Sequence, residues 1–228
     1  GSPPVIVKKA TPGQFRMTVD VTAVNEQTDR LLWPMPNLEI VVDVVKGCSV
    51  FFSLDFFKGY WQFPLHKNSQ EYFSFVTEDG VYTPTRVLMG GTDSVPYFQS
   101  TVQEMFKDLY MLGLLIWLDD LLGFGRDELD ALKVLERVLQ ICEKRRLKLN
   151  PDKCDFFLLV ALWCGKVISG EGVKHDPERI SALRALPTPT NGAELQQFIC
   201  AMNWMRTSIP GYNQLVAPLT ELMEQVYE

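Results

Sequence analysis

Two adjacent carboxylates stand in an otherwise apolar stretch of the chain. Asp119 and Asp120 follow the run 114–118 and precede the glycine-punctuated run 121–125. Burying one ionised carboxylate without a partner is costly, and two neighbouring carboxylates also repel each other. A solvent-exposed hairpin tip or a bound cation would each account for the pair. We favour the second interpretation, in which the rest of the chain positions the pair over a metal site.

A third acid, Asp55, stands inside the short aromatic segment 51–57, which Gly47 and Gly59 flank, as is typical of a buried strand. Asp55 could cap local backbone amides, or it could share a cation with the acid pair. Two divalent cations about 4 Å apart can activate an attacking oxygen and stabilise the leaving oxygen of a phosphoryl group. Mg²⁺ prefers hard oxygen ligands such as carboxylates. The three acids are therefore candidate catalytic and metal-binding residues.

The amino-acid composition limits the classes of protein to which the chain can belong. The 228 residues carry a net charge of −6 and are 46% hydrophobic, which is ordinary for a globular chain. The negative charge argues against a protein that binds its partners mainly through a basic face, so any contact with nucleic acid would be local. Five cysteines without CxxC spacing and only two histidines indicate reduced thiols and no zinc cluster. No apolar run approaches membrane length and no signal sequence opens the chain, which predicts an intracellular protein without a membrane partner.

Local patterns predict strands and helices that alternate up to about residue 175, followed by helices only. Strands are expected at 5–9 and 15–24, at 51–57, at 72–76 and 80–88, on both sides of Asp119-Asp120, and within 156–168. Helices are expected at 38–46, 94–109, 127–148 and 177–186, from a cap at Asn191, and over the last residues of the chain. This order predicts that the acids lie on strands and tight turns backed by helices.

The same segments resemble reverse transcriptases, in the style of gypsy-type long-terminal-repeat retrotransposons. The resemblance covers nearly the whole chain, in order. Its parts are the fingers signature (7–9, 15–20, 24–25), the first catalytic motif (52–55, 59–62), the nucleotide-pocket segment (90–99), the aromatic-x-Asp-Asp box (117–120), two further palm motifs of which the second is the primer grip (149–154, 162–165), and the thumb segment (195–196, 203–204, 209–211).

This resemblance implies an α+β right-hand polymerase fold with an antiparallel palm sheet, packed helices and a partial helical thumb. It places fingers at 1–30 and 63–93, palm at 31–62 and 94–172, and thumb at 173–228. The implied function is RNA- and DNA-templated DNA polymerisation by a retroelement domain. Two alternatives stay open: a catalytically impaired or domesticated relative that acts as a binding module, and a metal-dependent nuclease that uses the same acids.

The resemblance also implies roles for individual residues. Asp55 and Asp119 would bridge two Mg²⁺ ions, with Mn²⁺ as a substitute, Asp120 would support the primer-side ion, and the Phe56 carbonyl would add a ligand. Tyr60 would be an aromatic gate against the ribose 2′-hydroxyl. The other implied nucleotide-binding residues are Lys9, Arg16, Lys58, Gly59, Met89 and Gly90, and the implied primer and template residues are Trp117, Trp163, Cys164, Gly165, Gln196 and Trp204.

The implied partners are an RNA or DNA template with a DNA primer, together with deoxynucleoside triphosphates, in the cytoplasm or in retroelement particles.

Four residues depart from the family pattern. Trp117 replaces the usual tyrosine of the acid box, and Met89 stands where a phenylalanine or glutamine packs on the nucleotide. Thr22 replaces a common arginine, and Cys200 replaces a glycine of the thumb helix. Met89 predicts an altered pocket shape, and Trp117 predicts an altered placement of the primer.

Overall fold

The computed structural model describes residues 2–8 and 12–227. The chain divides into two compact units, Gly1–Lys174 and His175–Glu228. The strands are β1 (Pro4–Lys8), β2 (Phe15–Val19), β3 (Val50–Asp55), β4 (Phe75–Thr77), β5 (Gly80–Tyr82), β6 (Leu114–Trp117), β7 (Asp120–Gly125), β8 (Asp155–Leu158), β9 (Val160–Trp163), β10 (Lys166–Ser169) and β11 (Gly172–His175). The helices are α1 (Thr22–Glu26), α2 (Val41–Val44), α3 (Lys67–Gln70), α4 (Ser94–Met105), α5 (Glu128–Arg145), α6 (Pro177–Arg184), α7 (Gly192–Asn203) and α8 (Tyr212–Tyr227).

A four-stranded antiparallel sheet with the strand order β6-β7-β3-β8 forms the centre of the first unit. Successive side chains of the inner strand β3 point to opposite faces of the sheet, so this strand contributes to a core on each face. Phe52 and Leu54 join a core with Phe98 of α4 and Val138 of α5. Phe51 joins a second core on the other side, whose other members include Val41, Phe124, Trp163 and Ile168. The sheet is therefore a rigid support for whatever its strand ends carry.

Helix α5 follows directly from its sequence. The Asp127 side chain accepts a hydrogen bond from the Asp130 amide at 2.8 Å and caps the first turn. The apolar positions Leu135, Val138 and Cys142 recur at helical spacing and are buried. Residue Arg146, in the left-handed conformation with φ 58°, ends the helix. The helix packs closely on β7, where a Cβ on Gly125 would lie 2.3 Å from the Ala131 nitrogen.

The expected α+β class with antiparallel sheets is confirmed, but one predicted strand is too long. The second strand ends at Val19 rather than at residue 24, and Thr22–Glu26 is helical. The Asp20 carboxylate accepts hydrogen bonds from the Thr22 amide at 3.0 Å and from its hydroxyl at 2.6 Å. This local side-chain bond turns the chain out of the strand and satisfies a free amide of the first helical turn.

The other predicted elements occur with shifted ends. The hairpin predicted at 72–88 is shorter, with strands only at Phe75–Thr77 and Gly80–Tyr82. The segment 156–168 contains parts of three strands, of which the second and third (β9 and β10) pair with each other; β10 also pairs with β11, which completes a separate three-stranded sheet. The second unit holds α6, α7 and α8, and Asp176 and Asn191 cap the first two of these helices. No helix among the described residues has the length and apolar character needed to cross a membrane.

Candidate functional site

The acid pair lies on the hairpin between β6 and β7. Trp117 pairs with Asp120 across this hairpin, and Leu118 and Asp119 form its two-residue turn. On the other side of β7, Asp120 pairs with Asp55 at the end of β3. Residues directly opposite on antiparallel strands have Cβ atoms about 4.5–5.5 Å apart. The structure therefore brings the three predicted acids together at one end of the sheet.

The turn itself is held by a residue for which the sequence predicted no role. Gln99 of α4 is completely buried; its Nε2 donates to the Ile116 carbonyl at 3.0 Å, and its Oε1 accepts from the Leu118 amide at 2.7 Å. Leu118 has φ 54°, a left-handed conformation that a residue with a side chain rarely adopts. Gln99 stabilises this strained turn. The available signal was a glutamine on the apolar face of a helix.

Lys153 is the second functional residue that the sequence analysis missed. Its Nζ lies 3.0 Å from Oδ2 of Asp55, whose side chain is only 14% exposed. This hydrogen bond is the main reason that the pKa of Lys153 is raised, and the charges of Asp55, Asp119 and Asp120 add to it. The signal was a lysine in the motif 149–154, which was recognised without a role for that side chain.

The surroundings that stabilise the charged form of Lys153 destabilise the charged form of Asp120. Its pKa is raised, first by the surrounding protein and then by the negative charges of Asp119 and Asp55, while Lys153 lowers it. The carboxylate is nevertheless exposed by surface area, because it faces a cavity rather than the core. Partial desolvation raises the pKa of Asp120, and the open side leaves the carboxylate accessible to a ligand.

A cavity of about 250 Å³ opens beside these acids. It is lined by Asp55, Asp120 and Lys153, by Ser53, Leu54 and Leu121 of the sheet, and by Leu162, Trp163 and Cys164 of the β9–β10 hairpin. The indole nitrogen of Trp163 donates to the Asp120 carbonyl at 3.4 Å. Cys164 and Gly165 form the tip of that hairpin with φ of 49° and 75°. The predicted primer-grip residues thus lie beside the predicted metal ligands.

The donor chemistry of this site fits a divalent cation. Three carboxylates and Lys153 lie close together, and partial desolvation, followed by repulsion from Asp119 and Asp55, raises the pKa of Asp120. Carboxylate oxygens are the ligands that Mg²⁺ prefers, and a divalent ion would relieve that repulsion. In this arrangement the Lys153 ammonium supplies the positive charge. Within the described residues, no three His, Cys, Asp or Glu side chains already enclose a metal position.

The predicted nucleotide gate adjoins the acids. Lys58 has φ 49° and ψ 53° and precedes the short helix Gly59–Gln62. The Tyr60 ring packs on Phe98 with centroids 4.6 Å apart, and a Cβ on Gly59 would lie 3.1 Å from the same ring. Burial raises the pKa of Tyr60, and the negative charge of Asp119 raises it further. The buried Phe56 also contacts Phe98 edge-on.

The other predicted nucleotide-binding residues lie on separate elements. Arg16 is exposed on β2, where it pairs with Val7. Gly90, with φ 95°, accepts a hydrogen bond from the Asn25 side chain at 2.9 Å, and Met89 beside it is half-buried. Lys9 lies outside the described residues. The structure records neither a bond nor an ion pair that joins these described residues to the acids.

Two predicted template residues belong to the second unit. Gln196 lies on the exposed side of α7. Trp204 follows that helix, and its ring contacts His175 with centroids 4.6 Å apart. The Arg179 guanidinium lies over the same indole at 5.3 Å from its centroid. The structure thus shows Trp204 packed within its own unit, and the expected role of both residues stays a prediction.

Comparison with known protein families identifies most of the chain. Residues 6–183 match the family described as "Reverse transcriptase (RNA-dependent DNA polymerase)". The Pol polyprotein of the Drosophila melanogaster transposon 297 is 26% identical over 212 residues, which are 93% of this chain and 20% of that protein. The Pol polyprotein of the gypsy transposon of the same organism is 24% identical over 98% of this chain and 22% of the relative. The Schizosaccharomyces pombe transposon Tf2-3 polyprotein is 26% identical over 97% of this chain and 17% of its own length.

Solved structures show the same fold. A foamy viral protease–reverse transcriptase in complex with double-stranded DNA matches 98% of this chain and 39% of its own, with a TM-score of 0.87 and 24% identity. A foamy viral protease–reverse transcriptase in complex with an RNA/DNA hybrid matches 98% of this chain and 30% of its own, with a TM-score of 0.81 and 22% identity. The expected reverse-transcriptase-like fold is confirmed. The chain spans about a fifth of the length of the polyproteins.

Proposed function

The chain belongs to the reverse transcriptase (RNA-dependent DNA polymerase) family, and on that premise we propose that it adds deoxynucleotides to a primer 3′-hydroxyl under the direction of a template. Its relatives are retroelement Pol polyproteins, so the chain corresponds to the reverse transcriptase portion of such a protein. The observation that supports the activity is the convergence of Asp55, Asp119 and Asp120 at one end of the central sheet.

The proposed cofactor is a pair of Mg²⁺ ions, for which Mn²⁺ could substitute. Membership of the family implies dependence on divalent metal in general. Asp55 and Asp119 would hold both ions, Asp120 would hold the primer-side ion, and the Phe56 carbonyl would add a ligand. Bound ions would supply the charge that activates the primer oxygen and stabilises the leaving phosphate oxygen. Lys153, which holds Asp55 in this structure, orients that carboxylate toward the cavity.

The other residues of the chain would bind and orient the substrates. Trp163 and Cys164 line the cavity, and together with Gly165 they would hold the primer end beside Asp120, with Trp117 across the strand pair. Tyr60, packed on Phe98, would exclude a ribose 2′-hydroxyl by occupying its space. The triphosphate would contact the backbone around Lys58 and Gly59 and the side chains of Lys9 and Arg16, near Met89 and Gly90. Gln196 and Trp204 would follow the template-primer duplex.

The proposed partners are an RNA or DNA template paired with a DNA primer, and deoxynucleoside triphosphates. Support comes from the matched foamy viral structures, which are complexes with double-stranded DNA and with an RNA/DNA hybrid. The chain's negative charge requires such binding to rest on local contacts. The matched relatives give no support to the alternative of an impaired binding module.

Primer extension with Mg²⁺ tests the proposal. The wild-type chain should extend a labelled primer on RNA and DNA templates. The Asp119→Asn variant should lose at least about a hundredfold in rate, because one lost electrostatic contribution to a transition state costs about 10²–10³. Asp79→Asn, on the exposed turn of the β4–β5 hairpin, is the matched control and should keep the wild-type rate. Equal background activity of wild type and Asp119→Asn would refute the assignment, and shortened primers would indicate a nuclease.

A further inference from the structure

Gln62, at the end of the short helix Gly59–Gln62, uses its side-chain amide to join two segments of the site. The Nε2 group donates to the Phe57 carbonyl at 2.7 Å and to the Lys148 carbonyl at 2.8 Å. The Oε1 atom accepts from the Lys148 amide at 2.7 Å. Both amide protons and the carbonyl oxygen of the Gln62 side chain thereby form hydrogen bonds, all with backbone groups. Such a saturated amide fixes the separation of the two segments that it joins.

The two segments both lead to Asp55. Phe57 follows Asp55 by two residues, and its amide donates to the Lys148 carbonyl at 2.9 Å. The Asn150 amide donates to the Asp55 carbonyl at 2.8 Å, and Phe56 forms an antiparallel bridge with Leu149. The 148–150 segment then continues to Lys153, which contacts the Asp55 carboxylate. Gln62 therefore closes a network of hydrogen bonds around the strand end that carries this acid.

The segment that Gln62 holds is strained. Lys58 adopts the left-handed conformation, with φ 49° and ψ 53°, although it has a side chain. Such a conformation persists only where the surroundings enforce it. Gln62 binds the carbonyl of Phe57, directly before Lys58, as Gln99 binds the amide of Leu118 on the turn beside Asp119. Near Asp55 and near Asp119, therefore, one left-handed non-glycine residue (Lys58 and Leu118, respectively) is restrained by a glutamine side chain.

We propose that Gln62 is a positioning residue of the polymerase site, which holds Asp55 and the backbone after Lys58 in the geometry that the metal ion and the triphosphate require. The Gln62 side chain hydrogen-bonds the backbone of Phe57 and Lys148, so it acts through those residues. The proposal rests on the proposed function and deepens it, since it explains how the nucleotide-side backbone is kept in a strained conformation.

The test compares Gln62→Met, which keeps the side-chain length and removes all three hydrogen bonds, with two controls. Gln70→Met makes the same substitution at a glutamine whose Nε2 donates only to the Leu65 carbonyl at 2.9 Å. Val138→Ala lowers stability by a cavity in the core without removing a hydrogen bond. For each protein, thermal unfolding, Mg²⁺ binding by isothermal titration calorimetry, and kcat and KM for the nucleotide in primer extension are measured.

Gln62→Met should raise the KM for the nucleotide roughly tenfold, the factor that corresponds to about 1.4 kcal/mol of lost binding, and should weaken Mg²⁺ binding by a smaller factor. The two controls should keep the wild-type KM and Mg²⁺ affinity, although Val138→Ala unfolds at a lower temperature. Gln62→Glu should be worse than Gln62→Met, because a carboxylate would face two carbonyl oxygens at 2.7 and 2.8 Å.

A lower melting temperature of Gln62→Met with unchanged KM and Mg²⁺ affinity would show a merely structural role and overturn the proposal. A wild-type chain that fails to extend any primer overturns the proposed polymerase function instead. In that case the Mg²⁺ titration alone decides the role of Gln62: weaker binding by Gln62→Met than by Gln70→Met supports it, and equal or absent binding overturns it.

Discussion

At the scale of single residues, the site is a balance between three carboxylates and one ammonium group. Lys153 neutralises part of the charge by its contact with Asp55, and the charges of all three acids help to raise its pKa. Asp120 carries the remaining repulsion, and its own pKa is raised. Because the acids cannot all be ionised without a cost, the site favours the arrival of a cation. The same repulsion should measurably lower the free energy of unfolding of the metal-free protein.

We expect Asp120→Asn to raise the melting temperature of the metal-free chain at pH 7 by a few degrees, at about 2–4 °C per kcal/mol for a chain of this size. The raised pKa means that the folded state binds the Asp120 proton more tightly than the unfolded state does. The penalty is therefore absent below the ordinary value of 3.8 and grows as the pH rises through the folded pKa. The difference between variant and wild type should vanish at low pH.

The melting temperatures of Asp120→Asn and wild type in EDTA, measured from low pH to pH 7, test this prediction. Asp79→Asn, which replaces an exposed carboxylate on the β4–β5 turn, serves as the control and should not change the pH dependence. A pH-independent difference between Asp120→Asn and wild type would show that the three acids do not interact as described. Excess Mg²⁺ should reverse the order of stability, because only the wild type retains all three carboxylates.

At the scale of elements, helix α4 determines the shape of the β6–β7 hairpin through Gln99. We expect Gln99→Met to destabilise the chain by about 2–4 kcal/mol, because it leaves the buried Ile116 carbonyl and the Leu118 amide without partners. Gln103→Met on the same helix loses side-chain bonds to Trp33 and Tyr110, which are not fully buried, and should cost less than Gln99→Met. Urea unfolding of both variants measures the difference, and equal losses would refute the role of Gln99.

A second prediction at this scale concerns the contact between β3 and β7. Gly123 lies opposite Phe52, and a Cβ added to Gly123 would come within 1.9 Å of the phenyl ring. Gly123→Ala should therefore destabilise the chain by roughly 1–3 kcal/mol through overpacking. Phe52→Leu should restore part of that loss in the double variant, which a double-mutant cycle detects as a positive coupling.

The control for this cycle is Gly170→Ala, where the added Cβ would lie at an ordinary distance of 3.6 Å from Ser49. Gly170 lacks the positive φ that strains a side chain, so its substitution should be nearly neutral. Additive effects of Gly123→Ala and Phe52→Leu would contradict the packing. Gly123, in the segment that follows the acid pair, is therefore required because the Phe52 ring approaches its backbone closely, and not because of a turn conformation.

At the scale of the whole molecule, the charge distribution limits how the chain can hold nucleic acid. With 28 acidic and 22 basic residues, the chain has a net charge of −6, so phosphate contacts must be few and local. The logarithm of affinity should fall with the logarithm of salt concentration by about 0.9 for each phosphate neutralised. We expect a slope of magnitude about 2–4 for a primed template, measured by fluorescence anisotropy between low and moderate salt. A slope near zero would contradict phosphate contacts.

The sequence by itself determined the family, the fold class and the identity of the three acids. Asp119-Asp120 in an apolar run and Asp55 in an aromatic strand were visible because burial makes a carboxylate conspicuous. The strand, turn and strand around the pair were predicted by glycine spacing and are present. The long helix at 127–148 was predicted by its periodicity and charge order, and it occurs as Glu128–Arg145. Local propensity failed at Thr22–Glu26, where one Asp20 side-chain bond ended the strand early.

Only the tertiary structure decided which residues support the acids. Lys153 lies far from Asp55 in sequence and reaches it because β8 pairs with β3 and the preceding turn faces the strand end. Gln99 and Gln62 each bond backbone groups of distant segments, and no local pattern encodes such partners. The periodicity of side chains reports which face of an element is buried, but it does not report what that face meets. Long-range register, here the pairing of Asp55 with Asp120, is what converts three separate acids into one site.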